Sequence, residues 1–121
     1  TIAERELIHL LWEKQIPAVR VAGSGSSRYP SPDILAGTID RKFAIECKSV
    51  KGKSKYIPRD EIDQLLEFAN AFGCEAWIGM RFAKKEWHFL SVEDLIITEK
   101  SYCITHDIIK TRGLLLEELI G

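Results

Sequence analysis

The chain has too few cysteines, wrongly placed, to be held by disulfides or zinc. Cys47, Cys74 and Cys103 are odd in number, scattered, and without a C-x-x-C pair, so buried free thiols are the expectation. No apolar run approaches the roughly 20 residues that cross a bilayer, and no secretory leader opens the chain. Residue 1 is Thr rather than Met, which leaves room for a short missing N-terminal piece. The cytoplasm is the default compartment, with no membrane partner. Walker A and G-x-G-x-x-G sequences are absent, which argues against a nucleotide-binding regulator. Repeats, linkers and low-complexity segments are absent too. Nor is there an excess of one charge: 17 Lys and Arg stand against 18 Asp and Glu.

What is there has the composition of an ordinary globular protein, 45% hydrophobic and 29% charged. The 121 residues suffice for one core, so residues 1–121 are expected to form a single domain. The charges are unevenly placed: residues 1–60 carry 11 Lys/Arg against 7 Asp/Glu, and residues 61–121 carry 6 against 11. A basic half beside an acidic half can present a positive face to a phosphate backbone, if the split survives folding.

Helical spacing of Ala3, Leu7, Leu10, Leu11 and Lys14 predicts a helix over Ile2–Lys14, ended by Pro17. Ala18–Ala22 alternates like a strand. Residues 23–32 (GSGSSRYPSP) are loop chemistry, Ile34–Ala36 is a brief strand, and Gly37–Asp40 is a turn. Lys42–Val50 (KFAIECKSV) is the best strand of the first half, and residues 51–57 read as basic and irregular. Arg59–Phe72 is a second helix, with Pro58 at its start, Gly73 as its stop, and a core stripe of Ile62, Leu65, Leu66 and Ala69. Ala76–Phe82 and Trp87–Leu90 read as strands, and Ser91 with Asp94 as a capped short helix. Ile96–Thr98 with Tyr102–Thr105 reads as a small strand pair, and Leu114–Ile120 as a terminal helix. The order fits one α/β fold with helices against a mixed sheet.

Within that frame, Pro32-Asp33 is followed, after twelve residues, by Glu46-Cys47-Lys48. Side chains on a strand repeat every two residues, so Glu46 and Lys48 share a face, about 7 Å apart. Cys47 points the other way, as a small residue on a buried face. Asp33 opens the preceding strand, and the 37–40 turn returns the chain beside it, so two carboxylates and an ammonium converge. Hydrolysis of a phosphodiester uses such a trio. Carboxylate oxygens suit Mg²⁺, which lowers the pKa of a bound water and offsets phosphorane charge. The lysine would orient the nucleophile, or shed a proton if its pKa were depressed. The plainer alternative is a surface Glu46–Lys48 pair beside a turn aspartate, since E-x-K alone is common.

PD-x₁₂-ECK resembles the PD-(D/E)xK nuclease signature. With AERELIHLL at 3–11, VRVAGSGSS at 19–27 and IDQLLEFA at 62–69, the chain resembles the archaeal Holliday-junction resolvase family from about residue 2 to residue 90. The resemblance implies an α/β, restriction-endonuclease-like core, a central mixed β-sheet flanked by helices. It further implies a homodimer that cuts four-way DNA junctions symmetrically with Mg²⁺, for which Mn²⁺ substitutes. By motif position it gives Glu4, Asp33 and Glu46 as metal-binding acids, Lys48 as catalytic lysine, and Arg5 as a neighbouring DNA contact. It also assigns a function to the serine loop, leaving open which serine matters.

The residues add to this. Glu4 borders the stripe of Leu7 and Ile8 and so aims inward, while Glu6 stacks with His9 and Glu13 on a polar face; Glu4 could instead simply favour the helix dipole. Arg5 is as readily a solvated side chain as a phosphate clamp. Ser24, Ser26, Ser27 and Arg28 offer phosphate donors on a glycine loop, or else decorate a surface loop. Lys51, Lys53, Lys55 and Arg59 leave the strand bearing Glu46 and Lys48, which favours DNA contact over simple solvation. Gln64 is a secondary candidate at a position where the superfamily often carries a polar residue. The three histidines lack ligand spacing, and the three tryptophans suit core or interface. Phe68 and Phe72 widen the apolar arc of the second helix beyond one sheet face, as a dimer interface would. A repair or restriction-type nuclease for duplex or flap DNA, and a non-catalytic DNA-binding domain of the same fold, are the competing readings.

Overall fold

Thr1 caps the first helix, its hydroxyl accepting from the Glu4 N–H at 3.3 Å, and the chain then alternates between strands and helices. In the computed structural model, residues 1–22, 29–82 and 86–121 are described. They run α1 (Ile2–Glu13), β1 (Ala18–Arg20), β2 (Ile34–Gly37), β3 (Lys42–Val50), β4 (Ser54–Pro58) and α2 (Arg59–Phe72). β5 (Glu75–Phe82), β6 (Trp87–Leu90), a 3-10 turn (Val92–Asp94), β7 (Ile96–Ile97) and β8 (Ser101–Thr105) follow. α3 (His106–Arg112) and α4 (Leu116–Ile120) close the chain.

Five strands form a mixed sheet in the order β1-β2-β3-β5-β6. Only β3 and β5 run parallel, since α2 crosses between them; the other pairs are antiparallel. β3 lies at the centre and is covered on both sides. Phe43 and Ile45 pack with Leu7 and Leu11 of α1 and with Leu116 and Leu119 of α4. Ala44 and Val50 pack with Ile62, Leu65 and Ala69 of α2. Sandwiching one strand between two apolar layers is what a parallel connection demands. The central mixed sheet flanked by helices that the sequence led us to expect is therefore what the chain forms.

The segment read as irregular over 51–57 is partly a strand. β4 pairs antiparallel with β8, Tyr56 opposite Cys103, in a second sheet of order β4-β8-β7. Its one inward residue, Ile57, is fully buried against the α2 layer, a signal masked by the surrounding lysines. α3 was not expected either: its seven residues are too short for a clear period, and it starts at Thr105, whose hydroxyl accepts from the Ile108 N–H at 3.3 Å. The terminal helix begins two residues later than expected, because Leu114 exchanges backbone hydrogen bonds with Phe89 of β6. α2 stops where Gly73 adopts φ +84°, a left-handed cap that glycine takes without strain.

Candidate active site

Asp33 precedes β2 by one residue and is already tied into the sheet. Its N–H donates to the Ile45 carbonyl at 3.1 Å, and its carbonyl accepts from Val21 N–H at 2.8 Å. Because Ile34 pairs with Ile45 across β2 and β3, the next step of the ladder sets Asp33 against Glu46. The Asp33 Oδ2 is held by the Cys47 N–H at 2.8 Å, and the two carboxyls are hydrogen bonded to each other.

That pairing sets the charge of the site. Burial, reinforced by the charge of Asp33, pushes the Glu46 carboxyl up to about 8, against the opposing pull of Lys48. Glu46 therefore keeps its proton to a higher pH than a solvated glutamate does.

Lys48 lies on the same face, its Nζ 3.6 Å from Glu46 Oε2 and 2.7 Å from Glu61 Oε1. Burial works against its ammonium, but the hydrogen bond and charge of Glu61, followed by Glu46 and Asp33, outweigh it and raise its pKa. In these surroundings Lys48 is a charged donor, so of its two expected roles the orienting one fits. Cys47 points to the opposite, α1-side layer, where burial drives its thiol upward, as its alternation on β3 predicted.

Glu61 was not singled out from the sequence. It stands in the first turn of α2, where an acid is ordinarily explained by the helix dipole alone. Gln64, the polar residue that was considered on this helix, is exposed.

Glu4 is inward-facing, 17% exposed, but it pairs with the N-terminal ammonium at 3.5 Å and with Arg20 at 3.9 Å. Its charge acts on the Cys47 thiol together with those of Asp33 and Glu46. Among the described residues, no three His, Cys, Asp or Glu side chains form a group ready to hold a metal, so Glu4, Asp33 and Glu46 do not make a preformed cage. Glu6 differs from its expected solvent face. It accepts from Trp87 Nε1 at 3.0 Å and from Arg81 Nη2 at 2.7 Å, which anchors α1 to β5 and β6.

Among the DNA-contact candidates, Arg5, Lys51 and Lys53 are exposed. Lys55 is half-buried on β4, and Arg59 donates to the Glu99 carbonyl at 3.3 Å and lies over the Tyr102 ring. Ser24, Ser26, Ser27 and Arg28 fall outside the described residues. Ser31, the loop's fourth serine, has a buried hydroxyl with no hydrogen-bond partner among the described residues.

Phe68 is half-buried and stacks on Phe72, ring centroids 5.1 Å apart. Phe72, 61% exposed, borders an open apolar hollow of about 950 Å³ lined also by Trp12, Val19, Leu35 and Ile39. None of the four site residues lines it, so the hollow is not where the chemistry sits.

A family model described as archaeal Holliday junction resolvase (Hjc) matches residues 1–121. The crossover junction endodeoxyribonuclease Hjc of Archaeoglobus fulgidus is 41% identical over 118 residues, 98% of this chain and 86% of that one. The crossover junction endodeoxyribonuclease Hje of Saccharolobus solfataricus is 32% identical over 124 residues, 98% of this chain and 92% of that one. The solved structure of Archaeoglobus fulgidus Hjc, described as a Holliday junction resolvase from an archaeal hyperthermophile, superposes with a TM-score of 0.95 at 40% identity. It covers 100% of this chain and 98% of that one.

Proposed function

The chain belongs to the archaeal Holliday junction resolvase family, and on that premise we propose that it resolves four-way DNA junctions by paired, Mg²⁺-dependent phosphodiester hydrolysis centred on Asp33, Glu46 and Lys48. The observation that carries the reading is the carboxyl pair itself: Asp33 and Glu46 are hydrogen bonded, with Glu46 pushed up to about 8 and an ammonium 3.6 Å away. Two hard oxygen ligands, of which Glu46 keeps a proton through burial and then the charge of Asp33, suit a divalent cation, Mg²⁺ or Mn²⁺, which would replace that proton. When bound, the ion supplies a water of lowered pKa and offsets charge on the transition-state phosphorane.

The chain's own groups do the rest. The Cys47 N–H fixes the Asp33 carboxylate at 2.8 Å, so one ligand is oriented before DNA arrives. Lys48, held charged, donates to the reacting phosphate or orients the attacking water. Glu4, which pairs with the N-terminal ammonium and Arg20, would join by exchanging those partners for the cation. Lys51 and Lys53, exposed just beyond the end of β3, are positioned to neutralise flanking phosphates. A homodimer supplies the second cut, with Phe72, Val19, Ile39 and Trp12 as the apolar surface for the seam; Ile39 is 97% exposed.

The test is incubation of the protein with labelled four-way junction, linear duplex and flap, with and without Mg²⁺. We expect symmetric junction cutting only with the metal, and insensitivity to arm sequence. Duplex or flap cut as well as the junction would replace the reading with a general repair-type nuclease. Junction binding without cutting at any divalent ion would leave a DNA-binding domain.

A further inference from the structure

We infer that Glu61 is a positioning residue for the catalytic ammonium, reaching from the first turn of α2 to hold the Lys48 side chain at one point above β3 and off Glu46. The inference rests on the role of Lys48 proposed above. Lys48 sits between two carboxylates at unequal distances: 2.7 Å from Glu61 Oε1, a direct hydrogen bond, and 3.6 Å from Glu46 Oε2, an ion-pair distance. A lysine is a compact charge on a flexible four-carbon stem, and on a strand nothing in the backbone fixes where its end lies. Glu61 does, because its own position is set by a helix whose neighbouring residues Ile62 and Leu65 are buried in the core.

The geometry has a second effect. Without Glu61, the nearest carboxyl left to the ammonium would be that of Glu46, 3.6 Å away, and the side chain would be free to close that gap. That would move the donor away from the substrate and occupy a carboxylate that the reaction needs. Glu61 is half-buried, and the Asp33 carboxylate is anchored by the Cys47 N–H at 2.8 Å, so removing Glu61 leaves that anchor in place. The contact also joins two layers: a residue of the sheet's site is tied to the helix that carries Phe68 and Phe72.

The experiment is a double-mutant cycle on the full chain with Glu61→Ala, Lys48→Ala and both, with Glu61→Gln as the conservative variant. Cleavage of a labelled junction is followed under single-turnover conditions at saturating protein, and junction affinity by gel shift. We expect Glu61→Ala to cut about 10- to 100-fold more slowly, the rate equivalent of one charge-assisted hydrogen bond, with affinity unchanged. Glu61→Gln, which keeps an acceptor, should recover much of the rate. The double variant should be no slower than Lys48→Ala alone, because a residue that acts through Lys48 has nothing to do once it is gone. Carbon-13 relaxation at the Lys48 Cε, with lysine labelled, reads the same contact without catalysis: the position should be ordered in the wild type and mobile in Glu61→Ala. Multiplicative losses in the double variant, or an equally ordered Lys48 in Glu61→Ala, would overturn the inference while leaving the nuclease reading intact. A Lys48→Ala protein that cuts at the wild-type rate would overturn both.

Discussion

Glu46 is 14% exposed at its side chain, and burial, then the charge of Asp33, disfavour its ionised form more than Lys48 favours it. The folded protein therefore binds a proton that the unfolded chain has released between the ordinary glutamate range and about pH 8. The sign follows from linkage: stability from this site is full below the unfolded value and is lost as pH rises through the folded one. In chelator, the melting temperature of the wild type should fall between about pH 5 and about pH 9, and that of Glu46→Gln should fall less. Parallel curves would show that Glu46 does not carry the proton. At saturating Mg²⁺, Glu46→Gln and Asp33→Asn should each lose about 1,000-fold or more of the cleavage rate. Junction affinity by gel shift should be largely kept, since arginine and lysine contacts dominate binding. Strong Mg²⁺-dependent cutting by either variant would remove these acids from the site. Asp33, Glu46 and Lys48 were legible beforehand because a strand's period of two and a twelve-residue return fix who faces whom. Glu61 was not, because its meeting with Lys48 depends on how α2 settles over β3, which no local pattern encodes.

Among the elements, α1 depends on an anchor at its solvent-side edge as well as on its apolar stripe. Glu6 binds Trp87 Nε1 and the Arg81 guanidinium, whose side chain is 17% exposed and whose Nε is buried without a partner among the described residues. Removing the carboxylate would leave a mostly buried cation unpaired. With Glu6 itself about a third exposed, so that solvent screens part of the loss, Glu6→Ala should cost about 1–3 kcal/mol in chemical denaturation. Arg81→Met with Glu6→Ala should recover part of that loss, because the unpaired charge is gone. No coupling between the two substitutions would assign the cost to the packing of α1 alone. Helical spacing put Glu6 on a polar face because only the α1 sequence was in view, and its partners lie on β5 and β6. β3, α2 and β6 were bounded correctly by long periodicity or sharp punctuation, Pro58 and Gly73 above all. β4 and α3 escaped because each offers only one or two buried residues, Ile57 and Ile109, among charges.

For the whole molecule, the surface to test is the apolar hollow beside α2. A resolvase must make two matched cuts to leave ligatable duplexes, and two-fold pairing would set two copies of the carboxyl pair on one assembly, matching the junction's approximate symmetry. Both Phe68 and Phe72 were expected at the seam, but they are not equivalent probes. Phe68 is packed against the α2-side core, so a charge there would test folding as much as assembly. Phe72 is 61% exposed and lines the hollow with Val19, Leu35 and Ile39, so Phe72→Glu leaves the monomer's core untouched. Burying that carboxylate against a partner without a counter-charge should weaken the dimer by about 2–4 kcal/mol. Sedimentation across a concentration series should then show wild type as a dimer at concentrations where Phe72→Glu is a monomer with an unchanged far-ultraviolet circular dichroism spectrum. On a supercoiled plasmid carrying an extruded cruciform, the variant should release nicked circle, whereas the wild type yields linear product within one binding event. A wild type that sediments as a monomer and still linearises the cruciform in a single encounter would separate paired cutting from this surface, and the hollow would need another occupant.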